Sequence, residues 1–200
     1  MSAMFARIAI VLVAGLTSAC STTGAVRGPV DVIRYNLGTP IRPGTFAVDP
    51  LRSTEQISDE YGAYVNAVAQ GLGGLGFSRV PDGSPSEYLL EISFARAAAG
   101  TVRTGSPVSI GLGGVSGGMG GAVGGGLSTA LGGRTRQLVT SELTAKIRRR
   151  VDNTVTWEGA ARTQGTLPET PAASAAQAAR MADALFRDFP GQSGITTTVP

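Results

Sequence analysis

The stretch Tyr88-Leu89-Leu90-Glu91-Ile92-Ser93-Phe94-Ala95-Arg96 decides the fold of this 200-residue chain. Its apolar positions are Tyr88, Leu90, Ile92 and Phe94, and the positions predicted to face the other way are Glu87, Glu91, Ser93 and Arg96. A period of two is typical of a strand with one buried face. The stretch therefore predicts a sheet that is covered on one side by a second layer.

Two later segments, 134–149 and 154–163, alternate in the same way and predict a long antiparallel hairpin. The residues predicted to face inward are Val139, Leu143, Ala145 and Ile147 in the first strand and Val155, Trp157 and Ala161 in the second. The turn Val151-Asp152-Asn153 connects the two strands. Shorter strands are predicted over 32–35, 45–48 and 77–80.

Apolar residues recur at helical spacing in two segments, 54–75 and 172–189. The first carries Ile57, Tyr61, Tyr64, Val65, Val68, Leu72 and Leu75, and the second carries Ala178, Met181, Ala182, Leu185, Phe186 and Phe189. Pro190 is the predicted stop of the second helix. The order of elements predicts an α+β fold, with a mostly antiparallel sheet, two helices packed on one face and a long Gly-rich loop between two strands.

The first 19 residues have the three parts of a secretory signal peptide. Arg7 supplies the positive charge, residues 8–16 form an uncharged apolar core, and Ala19 is the small residue before a cleavage site. The apolar core is too short for a transmembrane helix, which needs about 20 residues. Because Cys20 follows Ala19 directly, we expect cleavage after Ala19 and lipidation of Cys20.

The segment Leu16-Thr17-Ser18-Ala19-Cys20 resembles the lipobox of bacterial lipoproteins, with Thr17 at the position where the pattern most often has Leu. This resemblance implies an acylated, palmitate-type anchor, and two or three acyl chains hold a protein stably to a membrane. Ser21 follows the cysteine, which by resemblance to Gram-negative lipoproteins implies the outer membrane, facing the periplasm. Residues 20–29 are small and polar and predict a flexible tether.

Composition excludes several classes of function. Without residues 1–19 the chain has 181 residues, and 16 basic residues against 14 acidic ones give a net charge of +2. The cations are scattered, which argues against a nucleic-acid partner. The chain has no histidine, and Cys20 is its only cysteine. A Cys/His zinc site and any Ser-His-Asp or Cys-His pair are therefore excluded, and we predict no catalytic residue, metal or cofactor.

The segment from Gly111 to Gly133 contains 12 glycines in 23 residues and leaves three interpretations open. It forms a flexible loop between two strands, a membrane-inserting or self-associating glycine zipper, or an extension of the flanking strands into a ribbon. The zipper interpretation is based on glycines spaced by four residues, which is the small-xxx-small pattern of closely packed membrane helices. These glycines are Gly113, Gly117, Gly121 and Gly125.

Several motifs resemble catalytic or cofactor sites, but the residues and elements around them do not fit those functions. Residues 71–76 match G-x-G-x-x-G, but they close a helix and precede a strand, the reverse of a dinucleotide site. Residues 114–118 match G-x-S-x-G without a histidine to act as base. Asp59 and Glu60 are neighbours that point in different directions, so they do not form a glycosidase pair. Trp157 falls on an apolar face, which predicts core packing.

The layout resembles the DUF4136 lipoproteins, a bacterial envelope family of unknown function. The segments that carry the resemblance are Val32-Ile33-Arg34-Tyr35, Thr45-Phe46-Ala47-Val48, Gly76-Phe77, Tyr88 to Ser93, Val155 to Gly159 and Leu185 to Pro190. The resemblance implies one α+β domain over 30–190, with a Gly-rich insert over 105–133. We expect residues 191–200 to form a disordered tail. The family implies no catalytic residues.

Two hypotheses of function follow from these observations. The favoured one is a lipid-anchored, non-enzymatic envelope protein that binds or scaffolds a partner through its exposed sheet face or its Gly-rich segment. The alternative is an accessory lipoprotein of a lipid or solute transport system, or a membrane-inserting glycine-zipper protein.

Overall fold

A computed structural model describes residues 26–49, 58–104, 108–109, 130–131 and 134–200. Nine strands and two helices lie in these ranges. In chain order they are β1 (Arg27–Asn36), β2 (Thr45–Val48), α1 (Asp59–Gly74), β3 (Ser78–Arg79), β4 (Tyr88–Thr104), β5 (Val108–Ser109), β6 (Ala130–Leu131), β7 (Arg134–Arg149), β8 (Val155–Thr166), α2 (Pro171–Phe186) and β9 (Thr196–Val199).

Seven of the strands form one sheet in the order β3-β2-β4-β7-β8-β1-β9. The neighbouring pairs β4–β7, β7–β8, β8–β1 and β1–β9 are antiparallel, whereas β2 lies parallel to both β3 and β4. The sheet is therefore mixed, and the prediction of a mostly antiparallel sheet is wrong. The reason is that α1 connects β2 to β3 as a crossover, which returns the chain in the same direction.

The central strand β4 buries the face that its alternation predicts. Leu90 and Ile92 are fully buried, and Phe94 is nearly so. Arg96, however, lies on this same face, where it reaches Glu60 of α1. The prediction that Arg96 faces the other way is wrong, because the alternation continues one step beyond Phe94.

Both helices cover this inner face of the sheet, and together they bury the core. Helix α1 begins after Ser58, whose Oγ accepts a hydrogen bond from the Tyr61 amide at 3.1 Å. Helix α2 begins after Thr170 and ends at Phe186, three residues before the predicted end. The largest fully buried side chains are Trp157, Tyr64, Phe46, Leu72, Leu90, Ile92, Leu143, Ile147, Met181, Leu185, Val30 and Val32.

The C-terminal segment forms a strand where a disordered tail over 191–200 was expected, so that expectation is wrong. Strand β9 pairs antiparallel with β1, with Val30 opposite Val199. The Val199 side chain is 7% exposed. A short polar strand of this kind resembles a tail in its sequence. Its stability comes from the backbone groups of the β1 edge, which no local pattern of residues 191–200 reveals.

The Gly-rich insert is described only where β5 and β6 pair, with Val108 opposite Leu131. Cys20, the signal peptide, and Gly113, Gly117, Gly121 and Gly125 lie outside the described residues. The tether predicted over 20–29 is described only from Val26, and its end is predicted wrongly, because β1 already begins at Arg27 and pairs there with β8. No helix in the described part of the chain is both long and apolar enough to cross a membrane.

Candidate functional site

The glycines of the 71–76 motif lie at the C-terminal end of α1, as predicted, and Gly71 allows close packing of the two helices. A Cβ atom on Gly71 would lie 2.5 Å from Cδ2 of Phe186 in α2. Gly76 follows the helix at φ +90°, a conformation that glycine adopts without strain. The 114–118 motif lies outside the described residues. Trp157 is fully buried in the core.

A row of polar residues crosses the inner face of the sheet and lies at the boundary of the apolar core. Arg96 of β4 is the register partner of Ser141 in β7, and Ser141 is the partner of Thr163 in β8. Ser141 is fully buried, and Thr163 is 3% exposed. We call these three residues the polar row.

Glu60, at the start of α1, is the counterion of the polar row. Two guanidinium nitrogens of Arg96 donate to the Glu60 carboxylate at 2.6 and 3.1 Å, in the bidentate geometry that strengthens such pairs. The hydroxyl of Ser174 in α2 donates to Oε1 of Glu60 at 3.2 Å. Glu60 is therefore engaged in joining α1, α2 and the sheet, and it is not free to act as a catalytic acid.

Beyond Thr163 the structure opens into a cavity of about 270 Å³ at the end of the sheet where β1 begins. We call it the arginine cavity. The polar side chains that define it are those of Arg27, Arg136, Thr163, Glu169, Gln177 and Arg180. They come from β1, β7, β8, α2 and the connection between β8 and α2, so the fold brings together residues that are far apart in the chain.

Arg180 forms the inner wall of the arginine cavity. Its Nη1 donates to the carbonyl oxygen of Gly28 at 2.7 Å, and its Nη2 donates to Oγ1 of Thr163 at 3.1 Å. Burial lowers the pKa of Arg180, and the nearby positive charge of Arg27 lowers this pKa further. The guanidinium remains charged, because an arginine side chain keeps its proton at neutral pH even when it is buried. It is thus a cation held in place beside a second cation.

Arg136 lines the same cavity and forms an ion pair with Glu169 there. Its Nε atom is buried and makes no hydrogen bond to the described part of the protein, and Oε1 of Glu169 lies 3.7 Å away. The Arg136 side chain is 15% exposed, whereas Glu169 reaches into solvent. A buried polar group without a partner costs about 1–3 kcal/mol.

The N-terminal end of α2 adds to the positive potential of the arginine cavity. Thr170 caps the helix by accepting a hydrogen bond from the Ala173 amide at 3.2 Å, and both residues line the cavity. A helix N-terminus carries a partial positive charge and attracts anions. Gln177, one turn further along, donates from Nε2 to Oγ of Ser141 at 3.1 Å and so connects the cavity to the polar row.

The outer face of the sheet differs from the arginine cavity, because its charges pair with one another. Oppositely charged groups lie 2.6–3.5 Å apart in the pairs Glu91–Arg148, Glu142–Arg162 and Lys146–Glu158. The hydrogen bond from Arg162 to Glu142 raises the pKa of Arg162. These exposed pairs already satisfy one another and offer no excess of one charge to a ligand.

A further buried arginine, Arg34, has a structural role. Its Nε and Nη2 donate to the carbonyl oxygens of Leu185 and Ala184 at 2.8 and 2.7 Å, at the C-terminal end of α2. Burial lowers the pKa of Arg34, the carboxylate of Asp188 opposes that change, and Arg187 adds to it. Arg34 is therefore occupied at the end of α2, whereas Arg27, Arg136 and Arg180 line an open cavity. No three Asp, Glu, Cys or His side chains of the described residues could hold a metal ion together.

The family described as a domain of unknown function, DUF4136, matches residues 42–191, about three quarters of the chain. This chain belongs to the DUF4136 family. The resemblance noted in the sequence is confirmed, and the match includes α1, α2 and most of the sheet. β1 and β9, which form one edge of the DUF4136 sheet in this chain, lie outside the matched range.

Solved structures with a similar fold include the PelC dodecamer of Paraburkholderia phytofirmans, at 10% identity and a TM-score of 0.45, covering 82% of this DUF4136 chain and 99% of that chain. A dodecamer of a PelC variant from the same organism, with one leucine replaced by methionine, gives 13% identity and a TM-score of 0.42 over 78% and 96% of the two chains. A PDZ domain protein from Parabacteroides distasonis is 10% identical to this chain, with a TM-score of 0.44. The match covers 89% of this chain and 40% of that one. No curated protein matches the chain.

Sequence reasoning missed the arginine cavity and the polar row. The sequence could have revealed Arg96, Ser141 and Thr163. Each is a polar residue at a position where the alternation of its strand predicts an inward-facing side chain. Arg27, Arg136 and Arg180 gave no such signal, since more than 40 residues separate each from the next in the sequence. Their proximity depends on the order of strands in the sheet.

Proposed function

We propose that this chain is a lipid-anchored lipoprotein of the cell envelope whose domain is a non-enzymatic binding module, and that the arginine cavity binds an anionic group. The proposed anchor rests on Cys20 and the signal peptide before it, and the proposed location is the periplasmic side of the outer membrane. The proposed binding role rests on the arginine cavity, which is the single observation that carries it.

The charge of the arginine cavity supports an anionic ligand. Three arginines face one carboxylate, that of Glu169, so the formal charge of the polar lining is +2. Guanidinium groups bind carboxylates and phosphates through two parallel hydrogen bonds, which adds geometric selectivity to the attraction of opposite charges.

The arginine cavity is a better candidate than the outer face of the sheet, which the sequence favoured as a binding surface. Exposed ion pairs of the kind found on that face contribute about 0–1 kcal/mol each. A partner that covered them would have to desolvate charges that are already paired. In the cavity, by contrast, an anion would gain donors that the fold has already placed and partly desolvated.

Thermal unfolding of the mature lipoprotein in detergent tests the binding role, with phosphate, sulfate and citrate compared against chloride at equal ionic strength. A ligand at a hundred times its Kd stabilises the native state by about 2.7 kcal/mol, so we expect a clear rise of Tm. Arg180→Gln should abolish the rise. Arg162→Gln, the same substitution on the outer face, should retain it. If all anions leave Tm unchanged, or both variants respond like the native protein, the cavity is not an anion site.

Cell fractionation of the Cys20→Ser variant tests the anchor. The variant lacks the thiol that receives the lipid, so we expect an unprocessed or soluble form. Recovery of a processed, membrane-anchored variant would contradict the proposed lipidation.

A further inference from the structure

The arginine cavity lies at the end of the sheet where the chain enters the domain. Val26 and Arg27, the first two described residues, both line it. Cys20 precedes Val26 by six residues, so chain length limits the separation of the two Cα atoms to about 20 Å. With Cys20 acylated, the cavity is confined to a thin layer next to the membrane surface.

Lipid headgroups form the membrane-proximal part of this layer. Each headgroup region of a bilayer is about 5–8 Å thick, measured outside the hydrocarbon core. A ligand that is part of the membrane would therefore be present at high local concentration next to the cavity, because the anchor holds both in the same small volume.

The charge of the cavity selects among headgroups. A phosphate monoester carries about −1.5 to −2 charges at neutral pH, which matches the formal +2 of the lining, and it has three strong acceptor oxygens. A phosphodiester carries a single charge. Arg136 of β7, Arg180 of α2 and the N-terminal residues of α2 all line the cavity. A group with three acceptor oxygens offers one oxygen to each of these three.

We propose that the arginine cavity binds the terminal phosphate monoester of a membrane lipid in the leaflet that holds the Cys20 anchor. This inference rests on the proposed function, and it names the ligand of the same site. Bound in this way, the domain would rest on the membrane with the β1 end of its sheet against the headgroups, and the anchor and the cavity would act as two linked contacts.

Hydrogen exchange of the mature lipoprotein in lipid nanodiscs tests this proposal. One set of discs contains phosphatidylcholine with phosphatidic acid, and a second contains phosphatidylcholine with phosphatidylglycerol at a fraction that gives equal surface charge. A third measurement uses glycerol 3-phosphate with the protein in neutral detergent. The peptides to follow cover the β1 start, the β8 end and the first two turns of α2.

We expect these peptides to exchange roughly fivefold more slowly in phosphatidic acid discs when the lipid is about four times its Kd. Arg180→Gln should abolish the protection and Arg162→Gln should retain it. Arg136→Gln provides a second test of the cavity in case Arg180→Gln does not fold. Equal protection in the phosphatidylglycerol discs would overturn the proposal, because it would show attraction to surface charge alone.

The remaining outcomes separate the two proposals. Protection by glycerol 3-phosphate without protection in phosphatidic acid discs would overturn the lipid source and leave an anion-binding module in place. Absence of protection under both conditions would overturn the lipid ligand and the proposed binding function together.

Discussion

At the scale of single residues, Gly71 shows how a motif that resembles a cofactor site can serve packing. Gly71 lies where α1 meets α2, and the Phe186 ring occupies the space that a side chain would need. The ring cannot move aside easily, because it stacks on Trp157 with centroids 5.4 Å apart. Gly62, in the same helix, has open space at the corresponding position.

These two glycines predict opposite effects of the same substitution. Gly62→Ala should stabilise the protein by about 0.5–1 kcal/mol, because alanine loses less backbone entropy in a helix. Gly71→Ala should destabilise it, since overpacking costs about 1–3 kcal/mol and exceeds that gain. Urea unfolding of both variants measures the difference. Stabilisation by Gly71→Ala would show that the helices can separate without loss.

At the scale of elements, the β4–β7 hairpin is complete without the Gly-rich segment between its strands. Its register runs from Tyr88 opposite Arg149 to Thr104 opposite Arg134, with one bulge between Ala98 and Gly100. The last pair therefore brings the two ends of the segment 105–133 together. A two-residue Asn-Gly turn closes antiparallel strands at such a pair.

Replacing residues 105–133 with Asn-Gly should thus leave the domain folded. A shorter loop lowers the entropic cost of bringing the two strands together by up to about 2 kcal/mol. We therefore expect an equal or higher free energy of unfolding in urea. Light scattering in detergent would show whether the molecular mass changes. An unchanged mass would argue against self-association through Gly113, Gly117, Gly121 and Gly125. Loss of cooperative unfolding would show that the segment is part of the fold.

At the scale of the whole molecule, the sequence predicted those features that depend on residues close together in the chain, such as the bounds of strands. The strands over 45–48 and 134–149 have the predicted bounds, because alternation is a property of neighbouring residues. The parallel pairing of β2 with β4 and the pairing of β9 with β1 join distant segments, and alternation carries no information about such partners. The arginine cavity likewise depends on the placement of β1 beside β8 and β7, so it could not be predicted before the strand order was known.

The pairing of β9 with β1 also determines where the chain leaves its fold. Val30 and Val199 are partners on adjacent strands, so their Cα atoms lie about 5 Å apart. Thr104 and Arg134, which flank the Gly-rich segment, lie toward the same end of the sheet. A reporter fused after Pro200 would therefore emerge beside the start of β1 and, with Cys20 lipidated as proposed, would compete with the bilayer for space. The turn at Val151, exposed at the opposite end, is the better attachment point for a label or an affinity tag.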